Sequence, residues 1–352
     1  MTLRDALRRH GRLLWWLHSL YALAAGILVM WVGARHFGVL RFVFLQIAFI
    51  WITSLLLPWI DGRAGLGPRL RWWIRAAVNY LNKDFYQQLL FFVLPVYWAS
   101  ATWGSLNMIF IAILATSAVL STFDVVYNDH LSVRPTLLAV FFAFNLFAGL
   151  NVTLPVLWSV SNGAAMWISA CLALVGFATL RFRPSEWRRP RVLAIVTTGA
   201  IVLGALVVWG RGLVPPAPLR LAGTSFGRGL QRRPLAVAGP VAALPAGWTG
   251  RLYAITAISA PLGLEERVRQ SWYRDGHLIY QSPFYRIVGG RQEGYRLWTS
   301  AVVSGQAAGP LRVDVETEGG QLIGRARLPA GEPGAAADAG ATPAREPGGL
   351  RR

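Results

Sequence analysis

Residues 136–158 read TLLAVFFAFNLFAGLNVTLPVLW, an apolar run from Thr136 to Trp158 that holds no charged side chain. Crossing a bilayer core takes about 20 apolar residues in a helix, so this stretch is long enough to be a transmembrane span. Six more runs of the same kind flank it, at Leu13–Ala34, Val39–Ile60, Phe85–Trp103, Gly104–Phe123, Ala164–Leu180 and Val192–Gly210. The expectation is an α-helical polytopic membrane domain of about seven transmembrane helices over residues 1–210. Trp16, Trp31, Trp59, Trp98, Trp103, Trp158 and Trp209 fall near the span ends, where amphipathic rings sit among headgroups. Pro58, Pro95 and Pro155 are expected to end or kink their helices.

The 352-residue chain is 54% hydrophobic yet carries a net charge of +19. Both facts hold because the cations lie between and after the apolar runs. Lys83 is the one lysine; every other cation is arginine. No basic patch carries an interleaved binding motif, so nucleic acid is not an expected partner. The single cysteine, Cys171, lies within an apolar run and excludes an intrachain disulfide or a cysteine-based metal site. The arginines ahead of Leu13 resemble a signal peptide with an Ala22-Leu23-Ala24 site. The apolar run, however, continues through Val32, longer than a signal core of about 7–15 residues, and is read as an uncleaved first span.

Counting Lys and Arg in the connecting segments sets the orientation. With the N-terminus inside, Arg4, Arg8, Arg9, Arg12, Arg63, Arg69, Arg71, Arg75, Lys83, Arg134, Arg181, Arg183, Arg188, Arg189 and Arg191 are inside, and Arg35 and Arg41 are outside. Fifteen against two places the C-terminal part across the membrane, which in a bacterial inner membrane is the periplasm. Between the second and third spans, Leu70, Ile74, Ala77, Leu81 and Phe85 recur at helical spacing with Arg71 and Arg75 on other faces. This predicts an interfacial helix lying on the inner leaflet.

Residues 211–248 are rich in Pro, Gly and Arg and read as an extended tether. From Arg251 the period changes to two. Leu252, Ala254, Thr256 and Ile258 alternate, as do Leu311, Val313 and Val315 with Arg312, Asp314 and Glu316. Asp275-Gly276 and Gly319-Gly320 mark hairpin turns. A small all-β antiparallel sandwich is expected over 249–329, followed by a disordered tail over 330–352.

Two stretches of chain carry resemblances. Leu14-Trp15-Trp16-Leu17-His18-Ser19-Leu20-Tyr21-Ala22-Leu23, Asn79-Tyr80-Leu81-Asn82-Lys83-Asp84-Phe85-Tyr86-Gln87-Gln88 and Leu120-Ser121-Thr122-Phe123-Asp124-Val125-Val126-Tyr127 resemble an uncharacterised family of bacterial multi-pass membrane proteins. Trp272-Tyr273-Arg274-Asp275-Gly276, Gly294-Tyr295-Arg296-Leu297-Trp298-Thr299-Ser300 and Leu311-Arg312-Val313-Asp314-Val315 are similar to a second domain of unknown function, found attached to other bacterial envelope proteins. That domain carries a histidine shortly before the tryptophan; Gln270 and Ser271 stand there in this chain. Neither resemblance implies an activity.

Polar residues at membrane depth are costly and mark candidate sites. His18 lies in the first run. Asn82, Lys83, Asp84, Gln87 and Gln88 form the densest polar group beside a span, and Asp124, Tyr127, Asp129 and His130 lie on the same side. Lys83 paired with Asp124 or Asp129 would close the helix bundle; the alternative is a substrate, ion or lipid-headgroup site. Asn145, Asn151 and Asn162 are expected as interhelical hydrogen-bonding residues. In the β region, Trp272, Arg274, Arg296 and Trp298 are candidates for a glycan- or anion-binding face; on strand periodicity Arg296 and Trp298 share a face opposite Tyr295 and Leu297, and one of these two faces must be core. The chain has no His-Glu-x-x-His, no Gly-x-Ser-x-Gly and no P-loop, and no cofactor or metal is implied. The preferred expectation is a non-enzymatic envelope protein whose outer β domain binds a ligand or partner. A transporter with an inner polar vestibule and an intramembrane lipid-modifying enzyme stand as alternatives, and the oligomeric state is open.

Overall fold

The computed structural model describes residues 20–21, 24, 40–61, 67–123, 127–131, 133–245, 247–304 and 309–331. The first expected span and the expected disordered tail therefore lie outside the described residues, or almost wholly so. Six helices come first: α1 (Leu40–Asp61), α2 (Pro68–Ser100), α3 (Asn107–Thr122), α4 (Pro135–Trp158), α5 (Asn162–Arg181) and α6 (Pro190–Trp209). Nine strands come after them: β1 (Arg220–Arg232), β2 (Leu235–Pro240), β3 (Gly250–Ser259), β4 (Glu265–Arg274), β5 (His277–Gln281), β6 (Tyr285–Val288), β7 (Tyr295–Val303), β8 (Leu311–Thr317) and β9 (Leu322–Leu328).

Among the described residues, three helices are long and apolar enough to cross a membrane: α4, α5 and α6. These match the last three expected spans. The expected count of seven is not supported by the described residues, and two of the other helices show why. The 16 residues of α3 rise about 24 Å at 1.5 Å each, less than a bilayer core. Asp84, Gln87 and Gln88 interrupt the apolar half of α2.

The interfacial helix expected over 68–85 is also revised. It and the third expected span form one 33-residue helix, α2, because nothing between Pro68 and Phe85 breaks the backbone ladder. A continuous helix cannot lie flat on a leaflet and also cross it without a bend. Its first half, with Leu70, Trp72 and Trp73 exposed, extends beyond the bundle; its second half is the central element of the bundle core. Leu89, Leu90, Val93 and Tyr97 pack there with Val43, Ile47 and Ile50 of α1, Phe110 and Leu114 of α3, and Phe142, Leu146 and Leu150 of α4.

Close helix approach depends on a missing side chain. A Cβ at Gly176 of α5 would come within 2.8 Å of both Leu146 Cδ2 and Phe142 Cε1 of α4. Small residues permit this backbone proximity, and the close approach gains dispersion contacts between the two helices. By contrast α6 buries Val192 and Val207 and presents Leu193, Ile195, Ile201, Val202 and Leu206 outward, as a lipid-facing helix would.

All named strand pairs are antiparallel. One sheet runs β2-β1-β3-β7; the other runs β5-β4-β8-β9, with β6 also on β4. Phe226, Leu252 and Ala254 of the first sheet meet Trp272, Val313 and Ala326 of the second in a shared core. The Asp275-Gly276 turn between β4 and β5 has positive φ at both residues, the geometry that favours Asp-Gly in two-residue hairpins.

Residues 211–248 are not an extended tether. Pro215 to Leu219 are buried, and β1 and β2 take up nearly all of the chain from Arg220 to Pro240. Three glycines in β1, Gly223, Gly227 and Gly229, weaken its apolar alternation. At Gly227 the reason is packing, since a Cβ there would lie 2.6 Å from Val237 Cβ on β2. The β domain therefore begins near Leu219.

Two outcomes test this packing. Gly176→Leu is expected to lower the thermal stability of the detergent-solubilised protein by an amount typical of overpacking, about 1–3 kcal/mol; an unchanged melting temperature would contradict the α4–α5 contact. A fragment of residues 219–331 should give protected amides and dispersed resonances, whereas 249–331, lacking β1 and β2, should not. Equal protection in both would show that β1 and β2 are dispensable.

Candidate functional site

The α4–α5 turn supports the β domain. Ser161 caps α5, accepting from the Ala164 backbone N–H at 3.4 Å. The Asn162 backbone N–H and its side-chain amide both donate to Glu266 Oε2 of β4, at 2.7 and 3.3 Å. Glu266 Oε1 accepts from the Arg267 backbone N–H at 3.2 Å. The buried carboxylate thus has partners on both oxygens and sits at the positive end of the α5 dipole, the favourable polarity for an anion. Nearby, Gln321 Nε2 donates to the Val214 carbonyl at 3.1 Å, and Met166 of α5, Val207 of α6 and Val214 share an apolar contact.

Beside this joint lies a cleft of about 440 Å³. Ser161 and Gly163 line its helical wall; Glu265, Glu266, Arg267, Arg286 and Glu318 line its β wall. Arg267 Nη1 is 2.7 Å from Glu318 Oε1, and Arg286 pairs with Glu265. All four of these paired side chains are about half exposed, where an ion pair is worth roughly 0–1 kcal/mol. The cleft was not foreseen in the sequence. Glu265-Glu266-Arg267 reads as an ordinary solvated strand start, and only the fold brings it to Ser161 and Glu318.

The polar group predicted beside the second and third spans is brought together and used internally. Thr53 donates to Asn82 Oδ1 at 2.8 Å, and Asn82 Nδ2 to Ser54 Oγ at 3.4 Å. Gln46 donates to Gln88 at 2.8 Å, and Gln88 to Asp84 at 2.7 Å. The first three of these bonds zip α1 to α2, and the last lies within α2. Lys83 and Gln87 are buried in the same stretch. Tyr127 is buried with its ring 6.3 Å from that of Tyr86, while His130 is exposed. His18, Asp124 and the Asp129 side chain lie outside the described residues. Of the three asparagines, Asn151 bonds across helices to Tyr97 Oη at 3.1 Å. Asn145 bonds back to Phe141 within α4, and Asn162 serves the β domain.

The candidate β face divides between layers. Trp272 is fully buried, donating from Nε1 to Thr299 Oγ1 at 2.7 Å, and Arg274 is buried too. Neither belongs to an outer face, because positions 268, 270, 272 and 274 share the inward side of β4. Arg296 and Trp298 point outward on β7, where Arg296 bonds Glu293 and the Leu235 carbonyl. Gln270, in the place of the histidine, is fully buried between the sheets, donating to Thr256 Oγ1 at 2.6 Å and accepting from Thr299. It is a cross-sheet hydrogen-bonding residue. On the outer side of the second sheet, Arg312 stacks over Tyr273 at 4.3 Å. Partial burial, then Glu316 and Asp314, push the Tyr273 phenol above its usual pKa.

Comparison with known proteins mirrors this division. Residues 2–243 match a family of unknown function, DUF5924. The chain belongs to that family. Residues 265–328 match a second model, a protein of unknown function, DUF2914. The first match ends after β2 and the second begins at β4, so the β2-β1-β3-β7 sheet draws strands from both. No curated protein matches the chain. Among solved structures, the chain aligns with a Pseudomonas fluorescens alkylpurine DNA glycosylase, AlkC, bound to DNA containing an abasic-site analog, at 10% identity. The alignment covers 77% of this chain and 84% of that one with a TM-score of 0.22.

Removing the joint is a direct test. Glu266→Ala leaves the α5 N-terminus without its acceptor and is expected to destabilise the β domain by about 1–3 kcal/mol. Glu266→Gln, which keeps an acceptor, should lose less. Amide exchange at Asn162–Ala165 reports the effect, and unchanged protection in Glu266→Ala would show that the joint does not hold the domain.

Proposed function

We propose that this DUF5924 member is an integral inner-membrane protein of a bacterium that holds a ligand-binding β domain rigidly at the outer membrane surface. The observation that carries this reading is the Glu266–Asn162 joint. A domain that only needed to reach a distant partner would be served by a flexible linker. Here the linker is buried and the domain is fixed to a helix end, which suits recognition at a set depth.

The placement draws on charge as well. The helix ends remote from the β domain carry Arg134, Arg181, Arg183, Arg188, Arg189 and Arg191, and positive residues concentrate on the cytoplasmic side. Arg181 Nε donating to Thr136 Oγ1 at 2.8 Å brings the start of α4 beside the end of α5 there. In this reading α4, α5 and α6 cross the membrane, which puts these arginines and the β domain on opposite sides. The function is binding. The polar residues of α1 and α2 act as interhelical glue, their hydrogen bonds being directed at one another.

Paired reporters, one active only in the periplasm and one only in the cytoplasm, fused after Gly331 of the full chain test the placement. A periplasmic signal is expected. A cytoplasmic signal would overturn the side assigned to the β domain.

A further inference from the structure

Across the β4–β6 pair, Arg267 stands directly opposite Arg286. Like charges at directly opposed positions of an antiparallel pair are destabilising. Both guanidiniums line the cleft beside the α5 N-terminus. Each is held from its flank by a carboxylate, Glu318 and Glu265 respectively, and the space before them is open. Two adjacent guanidiniums facing one cavity form the donor array that a phosphate oxyanion takes up by parallel N–H donation.

The cleft does not suit a bare anion. Glu265, Glu266 and Glu318 outnumber the two arginines, and a phosphate without a counter-charge would meet that excess. A ligand carrying a phosphate and, a few bonds away, an ammonium answers both. Its phosphate bridges Arg267 and Arg286, and its ammonium takes the carboxylates of Glu265 and Glu318. The existing ion pairs are half exposed and weak, and both stay in place as the ligand adds one negative charge beside the arginines and one positive charge beside the carboxylates.

The position of the cleft indicates where this ligand comes from. Trp167 lies one turn along α5 from Gly163 on the same helix face and is 46% exposed; Trp158, just before the turn, is 53% exposed. Exposed tryptophans at helix ends mark headgroup depth. We infer that the cleft binds a zwitterionic phosphate–ammonium group, supplied by the phosphoethanolamine headgroup of a membrane lipid. The inference rests on the membrane placement above.

The test uses the full-length protein in nanodiscs containing equal phosphatidylethanolamine and phosphatidylglycerol, followed by native mass spectrometry of retained lipid. Wild type is expected to retain phosphatidylethanolamine about tenfold over phosphatidylglycerol, the scale of one charge-assisted hydrogen bond. Arg267→Ala with Arg286→Ala should lower retention of both lipids about tenfold or more, because both carry the phosphodiester that the arginines hold. Glu265→Gln with Glu318→Gln should turn it toward the anionic lipid, a reversal that mere loosening of the fold would not produce. Circular dichroism confirms that both variants keep their sheets.

Glycerophosphoethanolamine, offered both to the lipid-bound and to the delipidated protein, separates the sources. Displacement of bound lipid supports a headgroup site, whereas tight binding with no lipid retained assigns the same chemistry to a soluble ester. No preference in wild type, a preference that survives Glu265→Gln with Glu318→Gln, or lipid retention unchanged in Arg267→Ala with Arg286→Ala overturns the proposal. A cytoplasmic reporter signal alongside intact lipid selectivity would overturn the orientation and spare the cleft.

Discussion

The structure turns on one carboxylate. Glu266 is buried at the seam, and a charge in that position is tolerable only with partners on both oxygens. It finds them in the α5 N-terminus and the Arg267 backbone. The helix gains an acceptor for an otherwise orphan N–H, and the strand gains a fixed anchor. Neither gain exists if the β domain swings free, so the contact couples the orientation of β4 to that of α5. Gln321, bonded to the Val214 carbonyl in the segment that follows α6, adds a second constraint. Two directional contacts on a common apolar support fix a rotation as well as a distance.

The linker strengthens this coupling. A chain leaving α6 at Trp209 has ten residues before β1 begins, and five of them, Pro215 to Leu219, are buried. Proline restricts the unfolded chain and so lowers the entropy lost when the segment docks. Leu219 then enters the β core beside Ile258 and Val268. The same stretch of chain thus closes the bundle and opens the sheet. The two family matches cut across this arrangement: β1 and β2 belong to the first match and β7 to the second, and β3 lies between them. An edge-exposed β3 would be an aggregation hazard, which β1 removes by pairing along it.

Much of this was legible in the sequence, and the limits have physical causes. The spans that became α4, α5 and α6 were readable because uninterrupted apolar length is a property of sequence alone. The hairpin at Asp275-Gly276 was readable because only a few residue pairs favour positive φ twice in succession. β1 was hidden because Gly223, Gly227 and Gly229 remove the side chains whose alternation announces a strand. The proline content of 211–219 spoke for extension, but extension is compatible with burial, and Val214, Ala217 and Leu219 decide between the two. The densest polar cluster, Asn82 to Gln88, stood out because polarity beside a span is conspicuous. Its hydrogen bonds to Gln46, Thr53 and Ser54 depend on helix pairing that no local pattern encodes. Trp272 and Arg274 face inward because β4 is covered on that side by the first sheet, a layer whose β1 and β2 were not anticipated.

The seam cleft shows why its residues were invisible one at a time. Arg267 and Arg286 become a pair through the β4–β6 register, Glu318 joins them through the β8–β9 turn, and Ser161 and Gly163 arrive from a helix hairpin about a hundred residues earlier in the chain. Each alone is a solvated polar residue. Together they form a cavity of mixed charge at a fixed height above the helix ends, and the fixed height gives the charge pattern its use. A tethered domain would sample many depths, and weak, half-exposed ion pairs would then recognise nothing in particular. Held by Glu266 at the end of α5, the same weak pairs keep one position relative to the helix ends; on the proposed membrane placement that position is a single layer of headgroups, whose high local concentration lets modest interactions suffice.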